Sequence, residues 1–132
     1  MASRREFLQA GLAASVLPIT ASAGEEAPEA LDKPSSFYKV VFDERFPASV
    51  AFGSEMKKRG MPVHGIKGDI TDLWYYDLYE RWKQGPAAIA GCTAHGALFC
   101  LERLAWDHGM RVVYRADVEP LISWIIAPRV QP

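Results

Sequence analysis

A seven-residue run, Leu121-Ile122-Ser123-Trp124-Ile125-Ile126-Ala127, stands between Pro120 and Pro128 near the end of the chain. It is short for a helix, it is rich in β-branched Ile, and it shows no polar alternation, which predicts a strand buried on both faces. The rest of the chain must therefore supply a layer for each side of that strand. Residues 37–42 are β-branched and aromatic and predict a first strand. A helix opens within residues 43–47, with Asp43 or Glu44 near its start and Pro47 in its first turn. Lys57-Lys58-Arg59 suits the negative end of that helix dipole, and Gly60 stops it. Residues 61–67 predict a second strand. Asp69, with Asp72 three residues on, then caps a helix over 70–84 that ends at Gly85-Pro86. Residues 87–91 predict a third strand, 97–108 a third helix closed by Gly109, and 110–114 a fourth strand ahead of the proline-bounded fifth. This alternation predicts an α/β fold: a small, open, mainly parallel sheet of about five strands with three helices on both faces, a Rossmann-like three-layer arrangement.

Composition narrows the function classes. Of 132 residues, 49% are hydrophobic and 23% charged, which excludes a disordered chain. The formal net charge of −1 argues against a nucleic-acid binder, which would carry a basic surplus. Two cysteines are too few for a disulfide scaffold. Residues 24–36, GEEAPEALDKPSS, hold four acids, two prolines and no aromatic, and read as a linker. One domain then spans residues 37–132.

The first 23 residues carry an address. Ser3-Arg4-Arg5-Glu6-Phe7-Leu8-Gln9 precedes a weakly apolar run over 10–19 and then Ala21-Ser22-Ala23. This resembles a twin-arginine (Tat) export signal: paired Arg4 and Arg5, Phe7 and Leu8 in register, and an A-x-A cleavage site after Ala23. Gln9 stands where such signals often have Lys. The run is shorter than the ~20 residues of a membrane span and is interrupted by Gly11 and Pro18, so no stable membrane span is expected. The resemblance implies a bacterial protein that the Tat translocase exports, already folded, to the periplasm. It also implies either a cofactor acquired before export or a protein partner, and no cofactor motif is present.

Ligands of open α/β sheets bind outside the carboxyl ends of the strands. The loops expected there carry Asp43-Glu44-Arg45, Gly68-Asp69, Gly91-Cys92-Thr93-Ala94-His95-Gly96 and Arg115-Ala116-Asp117. Before a helix N-terminus, Cys92 would be a thiolate, His95 a general acid or base, and Thr93 a hydroxyl donor. The bland alternative makes Thr93 an N-cap, Cys92 a small buried residue and the glycines loop punctuation. Gly91-Cys92-Thr93 is also similar to a fragment of the catalytic cysteine motif of aspartate/glutamate racemases. His95 falls one position later than that family's His, and the chain has no room for the second half that supplies their second Cys. Cys92, His95 and Cys100 have a metal-like spacing, but on a helix His95 and Cys100 would lie about 140° apart, so no metal site is expected. Cys100, within Leu98-Phe99-Cys100-Leu101, is expected in the core. His108 suits a helix C-terminus, and His64 could face the ligand edge or simply the surface.

The densest feature is Asp72-Leu73-Trp74-Tyr75-Tyr76-Asp77-Leu78-Tyr79-Glu80-Arg81-Trp82. Ile70, Trp74, Leu78 and Trp82 recur at helical spacing and form a core stripe, while Tyr75, Tyr76 and Tyr79 fall on its flanks. Tyr and Trp are enriched at interface hot spots, so Tyr75, Tyr76, Tyr79 and Trp82 are the candidate partner-binding residues. Two readings of function follow. One is a small accessory protein or subunit bound to a larger exported, redox-type enzyme, or a homodimer. The other is a small enzyme or ligand-binding protein using the Cys92–His95 loop with Asp43, Asp69 and Arg115.

Overall fold

The computed structural model describes residues 37–129. The expected export signal (Arg4, Arg5, Phe7, Leu8) and the linker over 24–36 lie outside them. The fold is α/β, with five strands in one sheet and three helices. Strand β1 (Lys39–Asp43) is followed by α1 (Pro47–Lys58) and β2 (Val63–Ile66). A second helix, α2, is built of three consecutive pieces: α-helical Thr71–Leu73, π-helical Trp74–Leu78 and α-helical Tyr79–Lys83. Strand β3 (Ile89–Ala94), helix α3 (His95–Trp106) and strands β4 (Met110–Val118) and β5 (Leu121–Pro128) complete the order.

The strands lie in the order β2-β1-β3-β5-β4. β1 is parallel to β2 and to β3, whereas β5 runs antiparallel to both β3 and β4. The sheet is therefore mixed, not mainly parallel. The reason is chain length. Only Glu119 and Pro120 separate β4 from β5, and a parallel connection needs a dozen residues or more, so the pair must close as a hairpin. β5 nevertheless sits between β3 and β4 with its first six residues buried, as a run of this composition requires.

Two apolar clusters flank the sheet. On one face Phe52 and Met56 of α1 belong with Val40, Ala90, Cys92, Leu121 and Ile125. On the other face Leu73, Leu78 and Trp82 of α2 and Leu98, Leu101 and Ala105 of α3 belong with Val41, Ile89, Ile122, Trp124 and Ile126. Gly91 lies where the sheet takes its largest ring: a Cβ there would stand 2.4 Å from a Trp124 ring carbon, so only glycine admits the indole.

The π-helical turn changes which residues face the core. A regular helix would bury Trp74 and Leu78. The extra residue instead puts Leu73 and Leu78, five apart, both at 0% exposure, and leaves Trp74 half-buried. Among the described residues no helix is long and apolar enough to cross a membrane.

Candidate functional site

The crevice between the carboxyl ends of β1 and β3 is where an α/β sheet usually receives a ligand, because the connections leave there for opposite faces: α1 for one, α3 for the other. In this chain the crevice is stapled from within. Ser49, in the first turn of α1 and fully buried, accepts a hydrogen bond from the Asp43 N–H (2.7 Å) and donates to the Cys92 carbonyl (2.5 Å). One hydroxyl thus satisfies both strands where they diverge. The Asp43 carboxylate, at 0% exposure, is clamped in two places by Arg45: Nε to Oδ1 at 3.0 Å and an amino nitrogen to Oδ2 at 2.8 Å. The Arg45 backbone N–H adds a third bond at 3.0 Å, and the Ala94 N–H, just before α3, also donates to this carboxylate. Burial alone would push the Asp43 carboxyl up, but these donors and the Arg45 charge outweigh it and hold it below the ordinary range. Gly68, at φ +89°, gives the Arg45 guanidinium its seat, since a Cβ there would stand 2.5 Å from the guanidinium carbon. The anion that the α3 N-terminus attracts is therefore the protein's own Asp43.

The residues singled out in sequence are dispersed. Cys92 is not on a loop: β3 runs through Gly91, Cys92 and Thr93 to Ala94, and α3 begins at His95 with no loop between. The Cys92 side chain is 2% exposed in the α1-side cluster, and burial pushes its thiol up to about 11, the reverse of what a nucleophilic thiolate needs. Thr93, fully buried, accepts the Trp124 indole N–H at 3.1 Å and bonds the Ala94 carbonyl, so it is a core strut and not an N-cap. Of Cys92, Thr93 and His95, only His95 is not buried, with its Nε2 3.1 Å from Glu119 Oε2 in the β4–β5 turn. Arg115 is exposed within β4 opposite Trp124, three positions short of the strand's end, because β4 continues to Val118. It is not at the carboxyl edge.

Asp69 stands just before Ile70, which takes the N-cap position expected of Asp69; its carboxylate accepts the Thr71 N–H at 2.8 Å and the Thr71 hydroxyl at 2.6 Å, and these bonds lower its pKa. It lines a groove of about 410 Å³ together with Glu44, His64, Lys67 and Asp72. Cys100 is exposed, against the core position expected for it, and both cysteines are free thiols. A core position would have needed the opposite phase of α3, whose buried face is Ala97, Leu98, Leu101 and Ala105. Among the described residues no three His, Cys, Asp or Glu side chains are placed to hold a metal ion. His108 packs its ring against Trp74 and Trp82, with centroids at 6.0 and 5.7 Å.

The aromatic helix is arranged differently. Tyr75 is 66% exposed, Tyr76 77% and Tyr79 42%, and the first two rings meet edge to face at 5.3 Å. Trp82 does not share that surface. It is 2% exposed, and its indole N–H donates to the Ala87 carbonyl at 3.0 Å, so it anchors α2 in the core. Asp77, inside the π-helical turn, accepts the Tyr38 hydroxyl and pairs with Lys39 at 3.0 Å, which fastens α2 to β1. Burial pushes the Asp77 carboxyl up, but the hydrogen bonds from Tyr38 and Lys39 bring it below the usual carboxylate range, while the Tyr38 phenol rises because it donates to Asp77. Sequence reasoning missed Ser49, which no local pattern distinguishes; it placed Arg45 in the Asp43-Glu44-Arg45 loop at this edge but gave it no role. It also missed Phe99 and Trp106, 59% and 44% exposed on α3. No protein-family model, curated protein or solved structure matches the chain.

Proposed function

We propose that this chain is a small accessory protein that binds a larger exported protein through the tyrosine face of α2 and travels with it through the Tat translocase to the periplasm. The observation that carries this reading is the exposure of Tyr75, Tyr76 and Tyr79 side by side on a helix held rigidly from beneath. Their exposed surface amounts to roughly 300–450 Å², comparable to the largest apolar patch of an ordinary monomer and about half of one side of a standard interface. Tyrosine is suited to this role because it presents a large area with few rotatable bonds and a hydroxyl that stays wet. The platform is pre-ordered by Trp82, by the Tyr38–Asp77–Lys39 ties and by the Trp74–His108 contact, so docking need not order the helix. The Arg4-Arg5 signal supplies the export route.

An affinity-tagged full chain tests both halves. Arg4→Lys with Arg5→Lys is expected to abolish export. Tyr75→Ala with Tyr79→Ala is expected to weaken recovery of the partner at least about thirtyfold, the effect of losing one hot spot of about 2 kcal/mol. Unchanged partner recovery by the tyrosine variant, with its fold intact, would remove this reading.

A further inference from the structure

The sheet has two outer strands, and they are not alike. The outer strand β4 is interrupted by a register shift between Val112 and Tyr114, a bulge of the kind that blunts an edge against pairing. β2 pairs with β1 without a break. The Val40 N–H donates to Pro62 and the Glu44 N–H to Ile66, so the even-numbered residues of this segment face β1. The alternation of a parallel ladder then turns the N–H and C=O of Val63 and Gly65 outward, where no described residue bonds to them. At the carboxyl end of the same strand lies the 410 Å³ groove, whose rim holds the carboxylates of Glu44, Asp69 and Asp72 against the single ammonium of Lys67.

We propose that the free edge of β2 takes up an extended, basic segment of a partner protein as an added strand, with its Lys or Arg side chains between Glu44 and Asp72. Main-chain bonds from Val63 and Gly65 supply the pairing, and the acidic rim selects the side chains. This surface uses none of the three tyrosines, so it stands or falls separately from the docking face of α2.

The probe is a blocked pentapeptide, Val-Arg-Val-Arg-Val, titrated into the isotopically labelled full chain with amide shifts and hydrogen exchange as readouts. Binding is expected to shift the Val63, Gly65 and Lys67 amides and to slow exchange at Val63 and Gly65. A peptide with Glu in place of Arg should bind at least about fivefold more weakly, as should Val-Arg-Val-Arg-Val to the double variant Glu44→Gln with Asp72→Asn. A peptide N-methylated at alternate backbone nitrogens should lose at least about tenfold, because it cannot complete the ladder. The proposal is overturned by no shift at millimolar peptide, by shifts confined to β4, by equal binding of the N-methylated peptide, or by equal binding of the Glu peptide.

Discussion

Ser49→Ala is the substitution from which most can be learned, because one hydroxyl closes the crevice where a ligand would otherwise enter. Its oxygen accepts from the Asp43 N–H at 2.7 Å and donates to the Cys92 carbonyl at 2.5 Å, and the residue is 0% exposed. Removing it leaves a donor and an acceptor of the main chain buried without partners, at about 1–3 kcal/mol each. Alanine returns about 0.5 kcal/mol in helix propensity within α1. The net cost is therefore about 1.5–5.5 kcal/mol, which in a domain of this size lowers Tm by at least roughly 6 °C. Ser54, exposed on the same helix, is the control: Ser54→Ala gains the propensity and loses no buried bond. Urea and thermal unfolding followed by circular dichroism give both numbers, and amide exchange at Asp43 should quicken in the Ser49 variant alone. If Ser49→Ala unfolds within about 0.5 kcal/mol of the parent, with an unchanged denaturant slope, the hydroxyl does not hold β1 and β3 together and the crevice is not stapled.

Other consequences follow from the same geometry. In the folded protein a maleimide or iodoacetamide should label Cys100 within minutes near neutral pH and leave Cys92 untouched until denaturant is added, as peptide mass spectrometry would show; rapid native labelling of Cys92 would restore the case for a reactive thiol. The Asp43 carboxyl titrates lower when folded than when unfolded, so it stabilises the fold above about pH 4, and that contribution is lost as pH falls through the lower, folded value. Asp43→Asn should therefore melt below the parent at pH 7, with the gap closing on acidification; a gap independent of pH would mean that shape and not charge matters at this position.

The sequence was legible where local pattern and chain length decide the outcome. Pro47 opening a helix, Lys57 and Lys58 closing it, and the apolar run after Pro120 all lie in the elements expected of them. The direction of β5 was not read correctly, because strand–helix alternation pointed to a parallel sheet and β4 was expected to end at residue 114, whereas it runs on to Val118 and leaves only two residues before β5. The carboxyl edge was harder to read. Gly91-Cys92-Thr93 resembled a loop because glycine breaks strands, whereas this glycine makes room for Trp124, 33 positions away. Such a demand is tertiary and leaves no local trace. The π-helical turn was equally hidden, since Trp74 and Leu78 fit a regular stripe until Leu73 competes for the core. Ser49 acts only through Asp43 and Cys92, and it is close to Cys92 only once β1 and β3 have paired. The exposed tyrosines were legible because they fell off a stripe that the core could use in only one direction.

The most direct test of the docking face is site-specific photo-crosslinking in cells that export the chain. A benzophenone amino acid would be placed in turn at Tyr75, Tyr76 and Tyr79, and at Val113, which is 50% exposed on the outer strand β4. The expected result is one and the same larger exported protein captured from all three α2 positions, and not from position 113. Capture of nothing from α2, or of the same proteins from α2 and from Val113 alike, would contradict a partner docked on the tyrosine face.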